Sequence, residues 1–499
     1  MADHEETTPV RAEPNRSQPA PTNAVDVAAD NNLLVALILL VAIVLLLIGP
    51  ELFVADSWLT LVSGREIAQH GLPHHEVITT IARGRVWTDQ QWLAQLIFYG
   101  LDRTGGLGLA VVFHAFVVAS ALAVTVIASR TRGASARMTL LAAIVGLLVA
   151  PWSWQLRAQS VALPLFALTL ALMATDPRRS LRRSYLVFPI LILWANVHGS
   201  VVLGATLVSL VGILGLVDLA RARGATAPWW RSVIFLFVPW ICVLASPYGT
   251  DLVAYYRLLL IDSPVSKSVQ EWKAPTPSGY LLVFFVVAAA TVIVAVWQRR
   301  RLSVYDLAVL ALTLGGALRS GRGIVWFSMA VAMLLPLALD GIAPGTPARV
   351  HRRLAIGLIG GLGLCLVASA VYAAVRDDSW YEQAWPAKAA RATAGAAAAR
   401  GATVWPSDKY ADWLLWKEPS LRGHMAWDVR FELLTAGEIR SIVDFKLRRS
   451  GWARQVQAYP VLALNQAETR AQTRVLLRAD GTTVAFANDD LVVLIRPQR

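Results

Sequence analysis

Charge is scarce in this chain. Asp, Glu, Lys and Arg together make up 16% of 499 residues, where soluble globular proteins carry about a quarter. That shortfall argues against an ordinary water-soluble protein of this length. Cysteine is nearly absent, and Cys242 and Cys365 both fall inside apolar runs, which argues against a disulfide framework and against a thiolate metal centre. The chain also lacks a Walker sequence, a dinucleotide fingerprint and a nucleophile elbow, which speaks against an ATP-driven pump. No internal repeat of solenoid length is apparent.

What the chain does have is length of apolar sequence. Hydrophobic residues make up 56%, mean hydropathy is +0.52, and stretches near the ~20 residues needed to cross a bilayer recur through the first three-quarters. The net charge of +13 could suggest nucleic acid. Most of the arginines, however, lie in short loops between apolar runs, the pattern of the positive-inside rule, so the basic balance is a topology signal.

The expected fold is therefore mainly α, a polytopic transmembrane bundle of about eleven spans. Residues 1–32, rich in Pro, Ala, Thr and Asn, read as a disordered cytoplasmic tail. Residues 33–375 form the transmembrane domain, with 51–106 as a large first extracytoplasmic loop. The runs Met138–Thr175 and Tyr185–Leu219 are too long for single spans and each folds back on the outer side, at Pro151–Gln159 and Asn196–Ser200. This keeps Arg130, Arg132 and Arg137, the Arg178–Arg183 group, Arg221, Arg223 and Arg299–Arg301 inside. Residues 376–499 form a small extracytoplasmic α/β domain. Its expected strands are Val475–Leu477, Thr482–Ala487 and Leu491–Ile495, and its expected helices Ala384–Ala399 and Val429–Leu447. The charge pattern places the N-terminus on the cytoplasmic side.

On this drawing Asp56, Arg157, Asn196, His198, Glu271, Arg319 and Arg322 share the outer face. Polar groups at a bilayer are costly, so several at one face read as a functional site. Asp56 follows the first span, ahead of an amphipathic helix at Trp58–Gln69 that would lie in the interface. Two readings stay open for Asp56: it caps that helix, or it acts on substrate.

Several short motifs accompany it: Asp56 and Trp58, Gly64-Arg65, Gly71 and Pro73, Gly84 through Trp87 to Gln91-Trp92-Leu93, and Trp194 to Ser200. Ser246-Pro247-Tyr248-Gly249, Glu271-Trp272, Val404–Trp416, and Asp428, Arg430 and Glu432 follow. Together they resemble the GT-C class of polytopic membrane glycosyltransferases, in particular a largely unassigned bacterial group within it. The resemblance implies a polyprenyl-phosphate sugar donor, an acid in the first outer loop acting as base or metal contact, and an extracytoplasmic C-terminal domain. One departure stands out. Many members pair two acids in that loop, and here Asp56 is followed by Ser57.

Moving a sugar off a lipid phosphate needs a cation for the departing phosphate and a carboxylate for the acceptor proton or the oxocarbenium charge. Asp56, Glu271 and His198 are the catalytic candidates. Arg157, Arg319 and Arg322 are candidate phosphate partners, since guanidinium offers paired donors. Alternatively they snorkel or pair with acids. Arg65, Trp92, Asn196, Tyr248 and Trp272 complete the substrate-binding set, with Trp272 a sugar-stacking face and Tyr248 alternatively shaping a turn. A divalent cation is compatible with the chemistry, but no ligand set emerges. His74-His75-Glu76 lacks the spacing of a zinc site.

The expected activity is transfer of a sugar from a polyprenyl-phosphate donor to a lipid, glycan or protein acceptor at the outer face. The expected partners are that donor, membrane lipid and the acceptor, with no nucleic acid. Two alternatives stand beside it: a metal-independent glycan ligase or polymerase using Arg and His, and a non-catalytic lipid-glycan binding, transport or scaffold protein.

Overall fold

The computed structural model describes residues 24–175, 182–221, 228–260, 270–343 and 352–497. Most of the expected tail, Arg178, Arg179, Arg223 and Arg349 lie outside these residues. The final part of the expected tail is not irregular, because α1 (Ala24–Leu47) begins within it. The bundle continues with α2 (Ala55–His70), α3 (Trp92–Thr131), α4 (Ala136–Val149), α5 (Ala162–Thr175), α6 (Val187–Val197) and α7 (Val201–Ala220). Next come α8 (Trp229–Val243), α9 (Asp251–Leu260), α10 (Leu281–Trp297), α11 (Val304–Arg319), α12 (Ile324–Leu334), α13 (Pro336–Leu339) and α14 (Arg352–Ala374).

Among the described residues, three helices are long and apolar enough to cross a membrane: Trp92–Thr131, Val201–Ala220 and Arg353–Ala374. Shorter apolar helices, including Asn31–Leu47, Ala136–Val149 and Leu281–Trp297, pack among them. The chain is an integral membrane protein. Helix α3 breaks at Gly105–Gly106, where Gly106 takes φ +69°. Asp378 Oδ1 accepts the freed Leu107 N–H at 2.9 Å. Arg132 pairs with the buried Asp306 at 2.7 Å, and Asp306 also closes a capping box with Ser303 at the start of α11.

The C-terminal part holds α15 (Asp378–Tyr381), α16 (Ala387–Arg400), α17 (Ala411–Lys417), α18 (Ala436–Lys446) and α19 (Gln466–Leu477). Its four strands are β1 (Val404–Trp405), β2 (Val461–Asn465), β3 (Thr483–Ala487) and β4 (Leu491–Ile495), in the order β1-β2-β4-β3. Only β1 and β2 run parallel. The small α/β domain is present, with two reassignments. Val475–Leu477 closes α19 instead of forming a strand: Thr469, Gln472, Thr473 and Leu476 are its buried positions, a helical spacing. Two strands were missed: β1, only two residues long, and β2, whose Val-Leu-Ala-Leu run is buried throughout. Val429–Leu447 is helical only from Ala436, because Thr435 and Glu438 form a capping box that starts the helix there.

Helix α2 is not an interfacial helix. Trp58, Leu59, Leu61, Val62, Ser63, Gly64 and Ile67 are buried, because the helix is covered by α3 on one side and α17 on the other. Gly64 is required for this: a Cβ there would stand 2.3 Å from the Gln95 carbonyl oxygen. Trp58 packs on Phe53 and edge-on to Trp385, so one apolar core runs from the bundle into the C-terminal domain. Full burial of each such side chain contributes about 1.5–3 kcal/mol.

The first loop is stitched to that domain by backbone bonds, Thr80 N to Met425 O (2.8 Å), Ile81 N to Ala426 O (3.0 Å) and Gly423 N to Ile78 O (2.8 Å). Ion pairs add Glu66–Arg422 (2.6 Å) and Arg85–Glu438 (2.6 Å). Loop and domain form a cap over one end of the bundle.

Candidate active site

The site is built where α2 starts. Ser57, two residues into the helix, is fully buried. Its hydroxyl accepts the Val54 N–H at 2.9 Å and donates to the Leu156 carbonyl at 2.5 Å. Leu156 N–H in turn reaches Leu52 O at 3.0 Å. The residue after Leu156 is Arg157, so this clamp delivers its guanidinium to Asp56. Asp56 does not cap the helix; the side chain bonded to the helix start is Ser57.

Arg157 Nη1 lies 3.2 Å from Asp56 Oδ2. The same guanidinium donates to both Glu271 oxygens, at 3.0 and 2.9 Å, and to Gln155. Arg322 approaches from the α11–α12 turn, with Nε 3.2 Å from Glu271 Oε2 and Nη2 3.6 Å from Asp56. Its guanidinium stands 4.7 Å over the Trp272 ring. Two carboxylates and two guanidiniums thus form a closed, neutral network. Burial works against charge on Arg157, but Asp56 and Glu271 outweigh it and hold its pKa above the usual value. Burial would likewise raise Glu271, but its bonds to Arg157 and the nearby Arg322 bring it down to about 2.

The network borders a cavity of about 280 Å³, whose wall includes Gln155, Gln159, Ser160, Lys273, Tyr280 and Arg322. Lys273 has no carboxylate partner among the described residues, so it is the wall's uncompensated cation. Lys273 is not among the residues the sequence singled out. Its position beside Glu271-Trp272 was the available signal.

His198 caps the end of α6. Its Nδ1 accepts from Ser200 N (3.1 Å) and meets Ser200 Oγ (2.8 Å). Burial, with Arg322 adding repulsion, lowers its pKa to about 3, so the imidazole is neutral.

The other candidates do not join this network. Arg65 donates to the Leu415 and Trp416 carbonyls at 2.6 and 2.9 Å and stacks on Trp416, docking α17. Tyr248 is buried with its hydroxyl donated to Pro73 O at 2.9 Å, which fixes the first loop. Asn196 Oδ1 accepts from Trp92 Nε1 at 3.0 Å while its amide donates to the Ile192 and Ala245 carbonyls. Trp92 and Asn196 instead line a separate apolar groove with Leu93, Ile192 and Leu193. Arg319 is exposed at the end of α11.

A second charged cluster lies beside the first, between the first loop and the C-terminal domain. Arg430 Nη2 and Nη1 meet Asp428 and Glu76 at 2.5 and 2.6 Å, and its guanidinium lies 4.2 Å over the Trp87 ring. All three charged groups are sealed from solvent. Asp412, at the start of α17, is fully buried nearby and has its pKa pushed well up by burial and by Asp428. Asp89 and Glu432 flank the cluster, each raised to about 7, chiefly by burial.

A divalent cation does not fit the open site. Among the described residues no three His, Cys, Asp or Glu side chains gather as a metal would require. The position between Asp56 and Glu271 is filled by Arg157.

No sequence family and no curated protein matches the chain. Solved structures do. The chain is similar to the archaeal oligosaccharyltransferase AglB from Archaeoglobus fulgidus, in complex with an inhibitory peptide and a dolichol-phosphate. The TM-score is 0.51 and identity 11%, over 90% of this chain and 71% of that one. It is also similar to ArnT from Cupriavidus metallidurans bound to undecaprenyl phosphate, with TM-score 0.47 and 15% identity, over 92% and 97% of the two chains. The chain shares its fold with AglB. At this identity the likeness is one of architecture, and function has to be argued from the site.

Proposed function

We propose that this protein is a GT-C-type glycosyltransferase that moves a sugar from a polyprenyl-phosphate donor to a lipid, glycan or protein acceptor. We place the site on the extracytoplasmic face of a bacterial cytoplasmic membrane, with the N-terminus inside, about eleven spans, and the C-terminal domain outside. The observation that carries this reading is a carboxylate, Asp56, held within 3.2 Å of Arg157 and 3.6 Å of Arg322, two arginines that themselves line a cavity of the helix bundle. A fold relative holding dolichol-phosphate is in keeping with a lipid-phosphate donor.

In this reading the donor's phosphate enters beside Lys273 and Arg322, whose positive charge stabilises the phosphate as it departs. Asp56 takes the proton from an acceptor hydroxyl. The acceptor oxygen bonds to the sugar's anomeric carbon as the bond to phosphate oxygen breaks, and the electron pair leaves on the polyprenyl phosphate. Glu271, ionised at any physiological pH, holds Arg157 and Arg322 and is too weak a base to share the proton transfer. Trp272 offers the sugar an aromatic face, partly taken by Arg322.

The test is transfer from radiolabelled polyprenyl-phosphate sugars by purified protein and by Asp56→Asn. The variant should lose transfer by about 10²–10⁴-fold, the usual range for a general base. Full activity of the variant would overturn the assignment.

A further inference from the structure

The place between Asp56 and Glu271 is unusual for what fills it. Two carboxylates face each other across a guanidinium that is only 13% exposed and whose backbone is anchored, because the Ser57 hydroxyl clamps the preceding residue. Guanidinium meets Glu271 through two parallel N–H donors and Asp56 through one of the same nitrogens. It is a fixed single positive charge bridging two acids, the arrangement that hard divalent cations otherwise find between carboxylates. Ser57 stands where a second acid would follow Asp56. A carboxylate there would point at the Leu156 carbonyl and break the clamp that delivers Arg157.

We propose that Arg157 replaces a divalent cation at this site: it occupies the bi-carboxylate position and supplies the positive charge, and the protein works without metal. The catalytic half of this inference rests on the glycosyltransferase reading; the occupancy half does not. Removing the guanidinium should leave Asp56 and Glu271 uncompensated, with only Arg322 beside them, and open to a hard cation.

The experiment is Mn²⁺ titration of chelator-treated full-length protein in detergent, followed by electron paramagnetic resonance. Wild type should show no saturable site that Asp56→Asn removes. Arg157→Ala should gain one Mn²⁺ site at least tenfold tighter than any in wild type, and Arg157→Ala with Glu271→Gln should lose it. Arg157→Gln, closer in size, should show the same gain and guards against a folding defect in the alanine variant. A wild-type Mn²⁺ site abolished by Asp56→Asn, or no gain in either folded Arg157 variant, would overturn the proposal. In a separate arm, transfer by wild type should be unchanged after chelation. Absence of transfer by folded, monodisperse preparations would count against the enzymatic reading and leave the Mn²⁺ result standing.

Discussion

Two arginine clusters lie side by side under the cap, built from the same chemistry and differing in access. Arg157 bridges Asp56 and Glu271, whose side chains are 28% and 40% exposed, and it borders a cavity. Arg430 bridges Asp428 and Glu76, and all three are within 3% of full burial. The open cluster balances two acids with two arginines. The sealed one has an excess of carboxyl groups around a single arginine, and burial raises the pKa of three of them, Asp412, Asp89 and Glu432. Burial therefore divides the two: one can exchange its partners for substrate, and the other can only hold the first loop to the C-terminal domain.

The largest effect should come from breaking the sealed cluster. Arg430→Ala leaves Asp428 and Glu76 buried without a counter-charge, a loss of about 3–5 kcal/mol, and should lower the melting temperature and expose the cap to protease. Asp56→Asn should do the reverse, abolishing transfer while leaving melting nearly unchanged. If Asp56→Asn destabilised the protein as strongly as Arg430→Ala, the distinction between the clusters would fail.

That distinction was only half legible in the sequence. Asp56, Arg157, Glu271, Trp272 and Arg322 could be marked because polar residues next to apolar runs are conspicuous, and the structure brings all five together. Arg65, Tyr248 and Asn196 carried the same signal but satisfy backbone carbonyls, which no residue pattern distinguishes from substrate contact. Asp428 and Arg430 were visible only as a motif, because their partner Glu76 lies more than three hundred residues away. The bundle was readable from hydropathy. Helix α2 was misplaced because its apolar positions do not reveal that α17 covers the face expected to meet lipid. Val475–Leu477 misled because a short apolar run has no clear period.

Next in size is the cation that the open network leaves uncompensated. Lys273→Ala should raise the KM for the lipid-phosphate donor about tenfold, or about 1.4 kcal/mol, with a smaller change in kcat. The same substitution should leave the melting temperature where it was, since no carboxylate among the described residues depends on Lys273. A fall in kcat alone would place the phosphate elsewhere in the cavity.

The smallest effect sharpens the comparison through pH. Asp89 is flanked by Arg430, Gln95, Glu432 and Tyr248, and burial raises its folded pKa to about 7, above the ~3.9 of an unfolded chain. Between those values the folded protein binds the extra proton. Its stabilising contribution is complete below about pH 4 and declines as pH rises to 7, by at most about 1.4 kcal/mol per pH unit. His198 works in the opposite direction, since its lowered pKa makes stability rise with pH between about 3 and 6.5. The measurement is therefore a difference: melting of wild type minus Asp89→Asn across pH 4 to 8. That difference should fall with pH and level off above 7. Glu271, held ionised in the folded protein down to about pH 2 against ~4.3 in an unfolded chain, should give the opposite trend: wild type minus Glu271→Gln should be flat above about pH 5.5 and fall as pH drops toward 4, because the unfolded chain takes up a proton there that the folded carboxylate refuses.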